Sequence, residues 1–262
     1  MYSAPAGATV DQGMIVYRNG ARRQMNRCTH PTLAYHPASA APRPIAAPAV
    51  SPGLTSWLAV AFYPAPTWET YLSERFSVPA NPSTSGAVIY YFPSLTDPHN
   101  STILQPVLTW GANGIVSNPN IWFITSWYVW NNNSNYVHST NSVHVGPGDT
   151  IDGSIATTSC NGNGTCTWTV DTCVEGGNCA TPLTVVSGVP FSYAEAGVME
   201  VGNDIASCAQ MPANGHEAFR NLVLTTHDGF VTPNFTIEYP VASNCGVSET
   251  ASSTGADIFW TP

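Results

Sequence analysis

The sequence contains no lysine, and only 9% of its 262 residues are charged, against roughly a quarter in an ordinary soluble domain. All seven cations are arginine, and the formal net charge is -9. Phosphate groups are bound by clustered cations, so this balance argues against nucleic acids and anionic membrane surfaces as partners. The sequence also lacks an apolar run of about 18 residues, which argues against a membrane-spanning helix. No window shows clear helical spacing, which argues against a helical fold.

Cysteines are present in an odd number, seven, and four of them lie in two short Gly/Asn-rich segments. The segments are CNGNGTC (160–166) and CVEGGNC (173–179). Each cysteine pair flanks a turn, which predicts disulfides across two hairpins. Zinc is the alternative, but zinc-binding pairs usually have about two to four residues between the cysteines, fewer than here. The odd count leaves one thiol free or paired between chains.

Cysteine pairing and glycosylation motifs together predict a secreted protein. Disulfides persist mainly in oxidising compartments outside the cytosol. Four N-x-S/T motifs begin at Asn100, Asn132, Asn163 and Asn234, and such motifs are glycosylated in secreted chains. A chain with so few ionisable groups changes little in charge with pH, which favours an acidic or extracellular setting.

The first 52 residues differ in composition from the rest. Residues 37–52 contain five prolines and six alanines, a composition typical of an extended, polyproline-like segment. We therefore predict an N-terminal arm over 1–52 and a folded domain over 53–262. The arm is either a propeptide, with Arg22 and Arg23 as a cleavage site, or a strap that packs along the domain.

From Leu54 onward the chain consists of short aromatic and β-branched segments separated by turn residues. This pattern predicts an all-β fold, an antiparallel β-sandwich or jelly roll of the concanavalin-like type with an extended N-terminal arm. The segment 214–222 is the one place where a single helical turn is expected. The predicted strands are 55–63, 87–92, 102–110, 121–130, 141–146, 167–170, 183–186, 221–227 and 235–239.

Familiar catalytic motifs are mostly absent. HEAF (216–219) begins like a zinc-peptidase motif, but Arg220 occupies the position of the second histidine. No phosphate-binding loop and no G-x-S-x-G motif is found, and the histidines are scattered. We therefore expect neither a metal ion nor an organic cofactor.

Two lone polar residues stand within apolar strands. Gln105 lies in ILQPVLTWG (103–111), where alternation places it on the sheet face opposite to Leu104. Glu200 lies in the apolar run 193–202. If both project from one face, the carboxyl can take a proton from water while the amide donates to the developing oxyanion. The alternative is structural: Gln105 pairs with the backbone, and Glu200 points to solvent at a strand end.

The order of several short motifs resembles the glutamic peptidases, or eqolisins. IL-Gln105 matches the I-L-Q that supplies the catalytic glutamine of that family. EAGVME (195–200) is loosely similar to A-E-W-I-V-E, which ends on the catalytic glutamate, and so places Glu200 there. Further similar segments are SW (56–57), FSVP (76–79), SWYVW (126–130), GPGDTI (146–151) and AFRNLVLTTHDG (218–229).

This resemblance implies a sandwich of two antiparallel sheets with Gln105 and Glu200 as the catalytic dyad of a secreted, acid-active endopeptidase. Its substrate would be a protein or peptide. Trp57 and Trp127 would line the substrate groove, and we expect Tyr128 to bind substrate there as well.

The chain departs from the family pattern around the groove. AVIYYFPSL (87–95) replaces the W-V-G-I-D segment that precedes the glutamine in the family. Val129 stands where A-W-Y-E-W has its glutamate, and Gly197 stands where the last motif has its tryptophan.

Two other classes of function remain open. A carbohydrate-binding module could use exposed tryptophans and tyrosines to stack on sugars. A glycosidase would need two carboxyls, for which Glu195 and Glu200 are available. Their odd spacing places them on opposite faces of a regular strand, which weakens that option. The third class is a non-catalytic extracellular structural or adhesion protein.

Overall fold

The structure is a computed structural model that describes 9–11, 14–16, 22–24, 56–99, 101–130, 135–161, 165–202, 205–239, 243 and 245–262. The chain divides into two compact units, 1–41 and 42–262. The first contains three antiparallel strands in the order β1-β2-β3, namely β1 (Thr9–Asp11), β2 (Met14–Val16) and β3 (Arg22–Gln24). The predicted cleavage pair, Arg22 and Arg23, lies in β3. The Pro/Ala-rich segment 37–52 lies outside the described residues.

Sixteen strands are described in the second unit. They are β4 (Trp57–Pro64), β5 (Glu69–Ser77), β6 (Ile89–Thr96), β7 (Ile103–Trp110), β8 (Trp122–Trp130), β9 (Asn135–His138), β10 (Val143–Val145), β11 (Thr150–Cys160), β12 (Cys166–Val174), β13 (Leu183–Ser187), β14 (Tyr193–Val201), β15 (His216–Thr226), β16 (Gly229–Val231), β17 (Thr236–Glu238), β18 (Ser248–Ser252) and β19 (Gly255–Phe259).

These strands form two antiparallel sheets that pack as a sandwich. The first sheet has the order β10-β8-β7-β6-β14-β4-β17, with β9 paired to β8. The second has the order β13-β12-β11-β5-β15-β19-β18, with β16 paired to β15. The predicted all-β antiparallel sandwich is therefore confirmed. None of the helical turns in the described part of the chain is long and apolar enough to span a bilayer.

One local expectation was wrong and one strand was missed, and in both places polar side chains point inward. The predicted helical turn over 214–222 is wrong, since these residues enter β15, in which Glu217 and Phe219 are buried at alternate positions. Strand β5 was not predicted, although it lies inside the second sheet. Its sequence looks polar because Glu69 and Glu74 occupy buried positions that are normally apolar.

The main core fills the space between the sheets. It contains Leu72 and Phe76 from β5 and Leu104 and Leu108 from β7, none more than 1% exposed. Burying an aliphatic or aromatic side chain of this size stabilises a fold by about 1.5–3 kcal/mol. This apolar interior offsets the low number of charged contacts.

Three disulfides link the described cysteines. Cys160–Cys166 and Cys173–Cys179 join the ends of two turns, as predicted. Because these four sulfurs are bonded to one another, they are not available as zinc ligands. The third bridge is Cys208–Cys245. Cys28, the seventh cysteine, lies outside the described residues.

The interior also contains an unusual number of carboxyl groups. Burial raises the pKa of Glu195 and of Glu217 to about 8. Burial, with the nearby charge of Glu74, raises the pKa of Glu249 to about 9. The pKa values of Glu69 and Glu74 are also raised well above the ordinary value, again mainly by burial. These groups therefore hold their protons at pH values where exposed glutamates have lost them.

Stability should accordingly be greatest in acid and decrease toward neutral and alkaline pH. Between the ordinary pKa of 4.5 and the folded values of about 8 to 9, the folded protein binds more protons than the unfolded chain. The free energy of unfolding therefore falls as pH rises through this interval. We expect the melting temperature at pH 8 to lie at least ~5 °C below that at pH 4, because 1 kcal/mol shifts it by about 2–4 °C in a domain of this size.

Circular dichroism melts of Glu249→Gln test the cause. The variant should melt higher than wild type at pH 8 and equally at pH 4, since glutamine replaces a carboxyl that is already neutral in acid. Glu175→Gln is the matched control, because Glu175 is half-exposed in a surface ion pair with Arg75 and should change little. Equal melting temperatures for wild type at pH 4 and pH 8 would contradict the explanation.

Candidate functional site

One face of the first sheet points away from the second sheet, and we call it the outer face. Along β7, Leu104 and Leu108 join the main core, whereas Val107 belongs to a separate apolar cluster on the outer face. Gln105 alternates with Leu104 and shares the outer face with Val107. The predicted orientation of Gln105 is therefore confirmed.

Gln105 lies on the outer face, and its own side-chain amide has no hydrogen-bond partner there among the described residues. Its side chain is 8% exposed, and within the described part of the chain it makes no hydrogen bond. Its backbone pairs with Trp127 of β8. On the other side, the pairing of Leu104 with Leu95 places Ser94 of β6 beside it. The amide atoms of Gln105 are not among the fully buried ones, so they are open to solvent and can contact a ligand.

Glu200 lies at the end of β14 and is half-buried. The Ser56 hydroxyl donates a hydrogen bond of 2.7 Å to its Oε1. Burial raises the pKa of Glu200 to about 7, although hydrogen bonds from Ser56 and Trp57 oppose the increase. Burial together with the charge of Glu200 raises the pKa of neighbouring Tyr90 to about 12. Glu200 is therefore held by protein groups rather than free in solvent.

A β-bulge in β14 brings Glu195 to the same face as Glu200. Glu195 pairs with Ser94, and Glu200 pairs with Tyr90. The two glutamates are thus five residues apart on β14 but four apart on β6, because β14 contains one extra residue. Gly197 takes up the extra residue with φ 61°. The expectation that the two carboxyls face opposite sides is therefore wrong.

Pairing across the sheet separates Gln105 from Glu200. Ser94 and Tyr90, their respective neighbours on β6, lie four residues apart along that strand. At about 3.3 Å per residue and ~4.8 Å between strands, the Cα atoms of Gln105 and Glu200 are ~16 Å apart. The two predicted dyad residues lie on the same face of the sheet but not level with each other across the strands. Glu195 and Gln105, in contrast, lie on either side of Ser94.

The three predicted substrate-binding aromatics occupy different environments. Trp127 is partly exposed beside Gln105 and lies 5.3 Å, between ring centroids, from both Tyr136 and His138. Trp57 is 1% exposed and packs in the outer-face cluster. Tyr128 packs against the main core, on the opposite side of β8. Among these three, Trp127 is the one placed to touch a ligand near Gln105.

Several contributors to the site were not found from the sequence. Ser94 and Thr96 donate hydrogen bonds of 2.6 Å to the two carboxylate oxygens of Glu195. Serines and threonines are too common in this chain to stand out. Gly197 was the available signal, because an isolated glycine within a strand pattern indicates a bulge.

The described residues offer no metal site, and a cavity that they form lies elsewhere. No group of three or more His, Cys, Asp or Glu side chains that could hold a metal ion is found among them. A shallow cavity of about 340 Å³ lies on the second sheet, lined by residues that include Tyr71, Arg75, Asp152 and Asp171. The amide and the two carboxyls of the outer face are therefore not in this cavity.

Comparison with solved structures finds glutamic peptidases. Scytalido-glutamic peptidase with a transition-state analog inhibitor aligns with a TM-score of 0.53 and 16% identity over 79% of this chain and 98% of that chain. A second structure of it, with a peptide-based transition-state analog, gives a TM-score of 0.51 at 15% identity over the same shares. SCP-B, an eqolisin in complex with the tripeptide Ala-Ile-His, gives 0.50 at 16% identity, also over 79% and 98%.

The chain has a glutamic-peptidase-like fold. The resemblance suggested by the motifs is thereby confirmed for the fold, which is what a likeness at this identity shows. No protein-family model matches the chain, and no curated protein does.

Replacement of Gly197 tests the bulge. An added Cβ would lie 2.6 Å from the Cβ of Ala256 and 2.7 Å from Oε1 of Glu249, at a positive φ. We expect Gly197→Ala to destabilise the domain by about 2–4 kcal/mol, measured by urea unfolding. In the control Gly188→Ala, the new Cβ would lie 3.8 Å from Oγ1 of Thr165, an ordinary contact, so the change should stay within ~0.5 kcal/mol. Equal stability of the two variants would show that the bulge tolerates a side chain.

Proposed function

We propose that this chain is a peptidase-like hydrolase whose outer face acts on a peptide carbonyl. The observation that carries the proposal is the amide of Gln105, which has no hydrogen-bond partner among the described residues. It shares the outer face with two carboxyls, Glu195 and Glu200, that accept hydrogen bonds from serine hydroxyls. The fold supports it, because the structural neighbours are peptidases solved with inhibitors or a tripeptide. Fold alone does not imply function, so the argument depends on these side chains.

The chemistry needs one amide and one carboxyl. The Nε2–H of Gln105 donates to the carbonyl oxygen as it gains negative charge. The protonated carboxyl donates its proton to that oxygen while its other oxygen accepts a proton from the water molecule that attacks the carbonyl carbon. The same group later delivers a proton to the departing amine and recovers one from the gem-diol hydroxyl, so the carboxyl returns to its starting state.

In the resemblance-based assignment, Glu200 is this carboxyl and Gln105 its partner. Because the pKa of Glu200 is about 7, it carries a proton throughout the acid range. It can then donate from its hydroxyl to the carbonyl oxygen while its other oxygen accepts the proton of the water. This protonated form gives activity in acid and loses it as pH rises through about 7, which supports the proposal of an acid-active enzyme.

Peptide binding and secretion are parts of the same proposal. Trp127, partly exposed beside Gln105, offers an aromatic surface for a substrate side chain. The three disulfides suit an extracellular protein. Asn234, the one glycosylation-motif asparagine among the described residues, is exposed. The asparagines of the other three motifs lie outside the described residues.

Replacement of Gln105 tests the proposed activity. We expect Gln105→Ala to lower kcat/KM for an unfolded protein substrate by about 100- to 1000-fold, the usual effect of removing one oxyanion donor. The fold should persist, since the lost amide makes no hydrogen bond within the described residues. The assay is cleavage between pH 2 and 7, with pepstatin present to inhibit contaminating aspartic peptidases.

His144→Ala is the control, because His144 is exposed on the edge strand β10 and should leave activity unchanged. Absence of cleavage by wild type at every pH would overturn the hydrolase proposal. Full activity of Gln105→Ala would remove Gln105 from it.

A further inference from the structure

The second sheet has a cavity of about 340 Å³ on the side that faces away from the first sheet. Along β5, Leu72 and Phe76 belong to the main core. Tyr71, Ser73 and Arg75 alternate with them and therefore point to the opposite side, where they line the cavity. The cavity volume lies at the lower end of the range for ligand pockets, about 300–1,000 Å³, so it suits a molecule of one or two rings.

Two small side chains form the floor of this cavity. Ser73 of β5 pairs with Ser154 of β11, and Ser154 pairs on its other side with Asp171 of β12. The next positions along β5 on the same face hold larger groups, Tyr71 in one direction and Arg75 in the other. The depression therefore follows from the strand register, which places two serines side by side between larger side chains.

A bulge in β15 places Asn221 at the edge of the same cavity. Between its pairs with Arg75 and Ser73, β15 has two residues where β5 has one. Asn221 lies in this bulge with φ 57° and is the one non-glycine residue with a positive φ in the described part of the chain. Asparagine tolerates this conformation better than most residues. The bulge thereby directs an exposed amide to the cavity.

Most polar side chains around the cavity have no partner in the protein. Five of them line it without a hydrogen bond to any other described residue, namely Tyr71, Ser73, Ser154, Asp171 and Asn221. Burial raises the pKa of Asp171 above its ordinary value, which shows that this carboxyl is partly withdrawn from solvent. The cavity thus presents hydroxyl, carboxylate and amide groups to a ligand.

The charges and the strand pairing limit the chemistry of that ligand. Arg75 is the one cation among the described residues that line the cavity, and its guanidinium is already bound to Asp152 at 2.7 Å and to Glu175 at 2.8 Å. An anion would therefore meet the Asp171 carboxylate without a free cation nearby. A peptide cannot add a strand here, because β5, β11 and β12 are each paired on both sides. A neutral molecule with several hydroxyl groups fits these conditions.

We propose that this cavity binds one or two units of a neutral oligosaccharide. The Tyr71 ring offers an apolar surface to the C–H face of a pyranose. The Asp171 carboxylate accepts hydrogen bonds from sugar hydroxyls, and the Asn221 amide both donates and accepts. The serine floor leaves room for the ring. The cavity and the outer face that contains Gln105 lie on opposite sides of the sandwich, so this binding does not depend on the hydrolase function.

Isothermal titration calorimetry with five neutral hexasaccharides tests the proposal. The probes are cellohexaose, laminarihexaose, mannohexaose, xylohexaose and chitohexaose, each titrated into the full chain at pH 4 and pH 7. We expect at least one of them to bind with a Kd of about 1 mM or tighter. Absence of binding by all five would overturn the proposal. Binding of tetralysine, with none of the sugars bound, would overturn it in favour of a cationic ligand.

Three variants locate the bound sugar. We expect Tyr71→Ala and Asp171→Ala each to raise the Kd about tenfold or more, since they remove the ring and the carboxylate. Circular dichroism melts of both variants should match wild type, because neither side chain is in the core. Tyr136→Ala is the matched control, since Tyr136 is 60% exposed on the first sheet and should leave the Kd unchanged. An unchanged Kd in both cavity variants, or a tenfold loss in the control, would contradict this site.

Discussion

The β-bulge in β14 is the constraint on which both the packing and the site depend. Without the extra residue at Gly197, Glu195 and Glu200 would point to opposite sides of the first sheet. The bulge is tight because Ala256 and Glu249 of the second sheet lie within 3 Å of where a side chain would begin. One backbone irregularity therefore determines how closely the sheets approach at this point and which groups share the outer face.

Buried carboxyls give this domain its distinctive electrostatics. A chain with few charges still places several glutamates inside, and burial is the main cause of their raised pKa values. Neutral carboxylic acids can donate as well as accept hydrogen bonds, so they are acceptable interior groups in acid. The same property makes the outer-face carboxyls proton donors below neutral pH. Stability and proposed chemistry thus favour the same conditions.

Similarity to the glutamic peptidases concerns the framework more than the groove. The two-sheet sandwich aligns over nearly the whole length of the peptidase neighbours. In contrast, the segment before Gln105 and the aromatic strand containing Val129 differ from the family motifs. A sandwich depends on alternating apolar residues, which many sequences satisfy. A dyad depends on two side chains meeting at one point, which a single change of register can alter.

Local sequence patterns were enough to predict the all-β class, most strand positions, two disulfides and the orientation of Gln105. These features follow from local alternation and turn chemistry, which neighbouring residues specify. It did not reveal β5, because buried glutamates made that strand look polar. Strand pairing in the folded protein places Gln105 and Glu195 on either side of Ser94 and places Glu200 beside Tyr90, four residues further along β6. The physical reason is that two features decide which residues lie side by side on neighbouring strands. These are the pairing of strands that are distant in sequence and the one bulge, and local spacing encodes neither.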